Sequence, residues 1–149
     1  MRRVTMWAFL TAVGLATLLA EPPAHARPKP KVEWVRVDVP EGDDSARVQK
    51  LLKQALGQAA RKANFGKGQH VSLTARVVQM SVEEHGDVLR ITCTVMGRVV
   101  GGAGARSRIS YGGSPDKRDE LEKIVLTQVA NGLVARLAQI VRTAERKVD

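Results

Sequence analysis

The sequence predicts an α+β fold: a two-layer sandwich in the order β-α-β-β-β-α, with a mostly antiparallel sheet and two helices on one face. Three observations carry this. Short runs of alternating apolar and polar residues recur four times along the chain. Two longer runs place apolar residues at helical spacing. Each strand-like run has one apolar face, so both helices are best buried on the same side of the sheet, leaving its other face polar and exposed.

The first strand begins at Val32. Val35, Val37 and Val39 fall on one face, Arg36 and Asp38 on the other, and Pro40 ends the run. Glu41 to Ser45 is a turn and helix start, with Asp44 or Ser45 placed to cap free N–H groups. The helix stripe is Val48, Leu51, Leu52, Ala55, Leu56 and Ala59. Arg61 and Lys62 lie at its end, where the macrodipole favours cations. Gly66 and Gly68 follow, either of them able to take a left-handed conformation.

The second strand turns Val71, Leu73, Ala75 and Val77 one way and Ser72, Thr74 and Arg76 the other. Apolar parity then switches to Val78, Met80 and Val82, which marks a bulge or a strand end covered on both faces. A hairpin through Glu83-Glu84-His85-Gly86-Asp87 leads to the third strand. There Leu89, Ile91, Cys93 and Val95 point inward, and Arg90, Thr92, Thr94 and Arg98 point outward. Gly101-Gly102-Ala103-Gly104 turns the chain into a fourth strand, with Ile109 and Tyr111 inward and Arg106, Arg108 and Ser110 outward. These three strands form an antiparallel meander.

The last helix opens with Ser114 as cap and Pro115 at its first position. Its apolar positions are Leu121, Ile124, Val125, Val129, Leu133, Leu137, Ile140 and Val141. Gly132 sits inside this pattern, where it costs about 1 kcal/mol against Ala. The stripe continues in phase past Gly132, which favours close packing over a kink.

Domain organisation follows from the start of the chain. Residues 1–26 have a basic start at Arg2-Arg3, an apolar core from Trp7 to Ala20, and a small-x-small exit at Ala24-His25-Ala26. That order is a secretory signal peptide cleaved near Ala26/Arg27. The apolar run is shorter than the roughly 20 residues of a spanning helix. Cys93, the one cysteine, is far from the exit, so neither a stable membrane anchor nor a lipid attachment is expected. Residues 27–31 read as a flexible basic leader and 32–149 as a single domain. The expected location is periplasmic or extracellular.

The chain carries 24 basic and 15 acidic residues, a net charge of +9. Without Arg2, Arg3 and Glu21 the remainder carries +8. Such an excess favours anionic partners, against the simpler reading of general solubility. One cysteine forms no internal disulfide, and Cys93 shares an apolar face, so it reads as a small buried hydrophobe.

The constellation worth following is the exposed sheet face. It should carry Arg76, Arg90, Arg98, Arg106 and Arg108 interleaved with Ser and Thr, and Arg98 should lie near Arg106. Guanidinium forks suit carboxylate and phosphate. The competing reading is an ordinary solvated face whose arginine stems cover apolar surface.

Other signals point away from chemistry. Glu83-Glu84-His85 sits at a hairpin tip, without the enclosure an acid/base site needs. His70, His85 and Cys93 have no zinc-like spacing, so no metal or other cofactor is expected. The glycines at 101–104 precede a strand rather than the helix N-terminus of a phosphate loop. Ser114 lacks a nucleophile frame. Nucleic acid is not an expected partner, because stacking platforms need exposed aromatics and Trp34 alone remains available.

The helix SARVQKLLKQALGQAARKANF, the paired strands VSLTARVVQM and VLRITCTVMGRVV, and the closing helix LEKIVLTQVANGLVARLAQIV resemble small α/β domains of bacterial envelope proteins. These include the amino-terminal domain of the Tol-Pal translocation protein and the activator lipoproteins of penicillin-binding proteins. The resemblance spans residues 32–142. It implies a non-catalytic domain that docks other envelope components. The lipidated Cys of the activator lipoproteins is absent here, so tethering is not implied, and no site residue carries over. The expected function is therefore an exported, non-catalytic binding or assembly module, meeting an envelope protein or an anionic envelope polymer. The alternatives are a small secreted hydrolase acting on envelope material and a cationic surface-binding protein.

Overall fold

The computed structural model describes residues 28–68 and 70–148. The signal-peptide reading of residues 1–26 lies outside the described residues. The elements are β1 (Lys31–Asp38), α1 (Ser45–Lys62), β2 (His70–His85), β3 (Val88–Val99), β4 (Gly104–Gly113) and α2 (Arg118–Glu145). They form a two-layer α+β fold in the expected order. The sheet runs β1-β2-β3-β4. β1 pairs parallel with β2, and the other two pairings are antiparallel. A parallel pair needs a long crossover, and α1 supplies it.

Two bulges set which side chains reach the core. In β2 the register slips between Val77 and Gln79, so the parity switch read from the sequence is a bulge at Val78. In β1 a second slip falls between Trp34 and Arg36. It corrects the expected face: Val32 and Trp34 pack against the core before the slip and Val37 after it, while Val35 is exposed. The core joins Leu52 and Leu56 of α1, Phe65, Leu73, Leu89, Ile91 and Val95 of the sheet side, and Val125, Leu126, Leu133 and Leu137 of α2.

α2 packs against β3, β4 and α1 together, so it buries more than one stripe. Beyond the expected positions, Leu126, Ala130, Val134 and Ala138 are buried, while Ile124, Ile140 and Val141 are only partly so. The helix is long and apolar enough to cross a membrane by length and composition, with 44% of its apolar window buried inside the fold. A Cβ at Gly132 would lie 2.7 Å from Ser107 Oγ, so this glycine brings the helix close to β4.

Several local details differ from expectation. Asp44 occupies the N-cap of α1 without a capping hydrogen bond, and its carboxylate instead faces Arg47 at 3.7 Å. α1 ends in extended geometry at Ala63, whose N–H reaches Ala59 O. Gly66, at φ +94°, serves the loop beyond. Ser114 and Pro115 open a single 3-10 turn before α2, and Ser114 Oγ donates to the Asp116 carboxylate. That bond holds Asp116 below the usual carboxylate range. Tyr111 lies in register with Ile91, on the helix side, yet is 47% exposed because β4 is an edge strand.

Candidate binding face

The sheet face opposite the helices is organised in rows set by the register. Arg36, Thr74, Arg98 and Gly104 align in one row; Asp38, Arg76, Met96 and Arg106 in the next; Gln79, Thr94 and Arg108 in a third. Ser81, Thr92 and Ser110 follow, then Glu83, Arg90 and Gly112. Four of the five predicted arginines, Arg76, Arg98, Arg106 and Arg108, therefore sit together. Arg90 does not join them, being three rows from Met96 and directly across from Glu83.

Arg98 and Arg106 are neighbours as expected, but diagonally rather than directly opposite, because Arg106 faces Met96 and Arg98 faces Gly104. Diagonal placement relieves the repulsion that opposed like charges would bring. Gly104 opposite Arg98 allows the strands to approach closely: a Cβ there would stand only 2.9 Å from the Gly97 carbonyl oxygen.

All four clustered arginines are exposed, and among the described residues none uses its guanidinium in a hydrogen bond or ion pair. Arg36 joins them across the parallel pairing but is engaged, its Nε donating to Asp38 Oδ1 at 2.8 Å. That hydrogen bond, with the carboxylate charge, raises the Arg36 pKa further above its ordinary value. A shallow depression of about 480 Å³ opens between these rows, lined by Arg36, Thr74, Arg76, Val78, Met96 and Arg98 among others.

The face is not uniformly polar. Met96 is 49% exposed and Val78 43% exposed, both amid the arginines. Thr94, expected to point into solvent, is fully buried, and its hydroxyl has no partner among the described residues. It lies beside Arg108 in the row next to Met96. Its burial without a covering helix is what long arginine and methionine side chains laid across the sheet would produce. Thr92 is also buried and shares a 2.9 Å hydrogen bond with Ser110 across the strands. The sequence reading missed Arg36 and the apolar pair. Met96 shares its parity with Arg98, a signal present in the sequence. Arg36 needed the β1–β2 pairing.

The remaining sequence signals are placed as follows. His85 Nε2 lies 3.5 Å from Glu83 Oε2 at the exposed end of β2. His70 contacts Glu33 at 3.3 Å and Ser72 at 3.1 Å on the surface. Gly101, at φ +74°, and the Gly102 N–H bonded to Val99 O close a tight turn. Cys93 is buried, and burial, aided by the nearby Glu122 charge, pushes its thiol up to about 11. No group of three or more His, Cys, Asp or Glu residues is placed to hold a metal among the described residues. A second depression, of about 670 Å³, lies by Trp34 and Phe65 beneath Pro28 and Pro30, with no carboxylate, imidazole or thiol in its lining.

Fold and face together define a small α+β domain whose open sheet surface is basic. The chain matches no protein-family description and no curated protein. Among solved structures it is similar to a candidate lipoprotein from Caulobacter crescentus, at 15% identity and a TM-score of 0.46, covering 79% of this chain and 92% of that one. It is also similar to a minor lipoprotein from Acinetobacter baumannii, at 13% identity and a TM-score of 0.41, covering 73% and 94%. A third is the N-terminal domain of Protein Y from Thermus thermophilus, at 14% identity and a TM-score of 0.33, covering 74% and 97%. Two of the three are described as lipoproteins. No residue role is carried across from them.

Proposed function

We propose that this protein is an exported, non-catalytic module of the cell envelope that docks an anionic partner through its open sheet face. The observation that carries the reading is the group of four exposed guanidinium groups, unpaired among the described residues, on adjacent rows of one sheet. Fixed positive charge on a preformed surface attracts anions without reorganisation. Arg36–Asp38 borders the group and adds no net charge.

The test compares two variants of different charge placement. Arg76→Glu with Arg106→Glu should abolish binding to anionic envelope fractions while the circular dichroism spectrum is preserved. Arg90→Glu, lying across from Glu83, should leave binding close to wild type. If both variants bind as wild type does, or if Arg90→Glu is as damaging per charge as the clustered change, the proposed face is wrong.

A further inference from the structure

We infer that the anionic partner is a phosphate-bearing lipid surface, engaged by the arginines and by Met96 and Val78 together; this rests on the docking role proposed for the same face. A soluble polyanion would satisfy the guanidinium groups, but it offers nothing apolar to cover Met96 and Val78. Both side chains are nearly half exposed, Met96 between Arg76 and Arg106 in the middle of the basic patch and Val78 beside Arg76 at its edge. A lipid surface presents both requirements at once, with phosphates in a plane and apolar glycerol and acyl groups just beneath. Arg and Lys side chains meet the first, and projecting hydrophobes meet the second.

The shape of the face supports the same partner. Arg76 and Arg106 stand two strands apart, a span of about 10 Å at the usual strand spacing, with Met96 between them. Arg98 and Arg108 flank that row on either side along the sheet. The result is a broad, shallow basic patch with an apolar centre, and the depression it contains has no enclosing wall from the helical layer, which lies on the opposite face. A planar surface fits this relief, whereas a single phosphorylated small molecule would leave the outer arginines unused.

Vesicle co-sedimentation of the protein, isolated as the cell processes it, tests the inference. The vesicles are phosphatidylethanolamine with increasing phosphatidylglycerol, and the matched soluble polyanion is polyphosphate. Binding to vesicles should rise with phosphatidylglycerol content and fall steeply with salt. Each of Arg76→Gln, Arg106→Gln and Arg108→Gln should weaken vesicle partitioning about fivefold, the usual effect of one surface cation. The deciding variant is Met96→Thr with Val78→Thr, which keeps every charge and suits a strand. It should weaken vesicle binding several-fold and leave polyphosphate binding unchanged. Equal vesicle binding by this variant, with the arginine variants still impaired, would overturn the lipid assignment and leave a polyanion as the partner. Loss of all arginine dependence would instead remove the docking role itself.

Discussion

At the scale of single residues, Cys93 shows how burial decides chemistry. Its thiol is held at about 11 against an ordinary value of 9.0. A group whose pKa is raised by folding stabilises the fold fully below its unfolded pKa and loses that contribution as pH rises through the folded value. Stability should therefore fall between about pH 9 and pH 11, and Cys93→Ala should flatten that part of the profile in urea melts. The same burial should keep the thiol unreactive towards a thiol-specific reagent at neutral pH until denaturant is added. Reaction of the native protein at the denatured rate would contradict the placement of Cys93. Its inward face was legible from its alternation with Ile91 and Val95. The company of Glu122 was not, because that carboxylate lies on α2 and reaches the sheet only through tertiary packing.

At the scale of elements, Gly132 fixes how near α2 lies to the sheet. Filling it with a methyl group meets Ser107 Oγ at 2.7 Å, so the helix propensity gained is opposed by overpacking. Gly132→Ala should cost about 1 kcal/mol net in thermal unfolding. In a Ser107→Ala background the same change should turn stabilising, by up to about 1 kcal/mol, as Ala replaces Gly in a helix. Additive effects in the double-mutant cycle would show that the two residues are not in contact.

The same scale shows what the sequence could and could not tell. Strand alternation and helical spacing carried the element order, and two adjacent valines, Val77 and Val78, revealed the bulge in β2. The bulge in β1 was hidden because Val35, Val37 and Val39 themselves alternate, imitating a regular strand. Helix starts were read from residue types able to cap, yet Asp44 and Ser114 spend their side chains on Arg47 and Asp116 instead. The basic face was readable as a parity pattern in three strands, but its limits were not. Arg36 enters through a parallel pairing that no local pattern encodes, and Arg90 leaves because the hairpin places it across from Glu83.

At the scale of the whole molecule, the two helices are tied by one ionic junction above the core. Arg47 of α1 donates to Asp119 at 3.0 Å and to Glu122 at 2.9 Å, both near the start of α2. Glu122 is only 2% exposed, and its second carboxylate oxygen has no partner among the described residues. Burial holds its carboxyl above the usual range, against the pull of Arg47. By the same linkage, the buried carboxylate lowers stability as pH rises through its folded pKa, and Arg47 limits that loss. Arg47→Met should destabilise the protein at pH 7 by about 2 kcal/mol, the cost of leaving a buried charged group unpaired. The loss should shrink at pH 4 and be largely rescued by Glu122→Gln. Equal losses at both pH values would mean that packing, not charge, holds the helices together.

The packing of α2 also constrains when the protein can become itself. This helix covers β3 and β4, contacts α1, and follows every strand in the chain. Until it has been made, the apolar side of the meander has little to lie against, and α1 lacks its main neighbour. The earlier segments would then persist as an open, collapsible chain, and compaction would come late and all at once. α2 acts as the closing piece of the fold, and the sheet face opposite it would reach its final geometry only after that piece is in place.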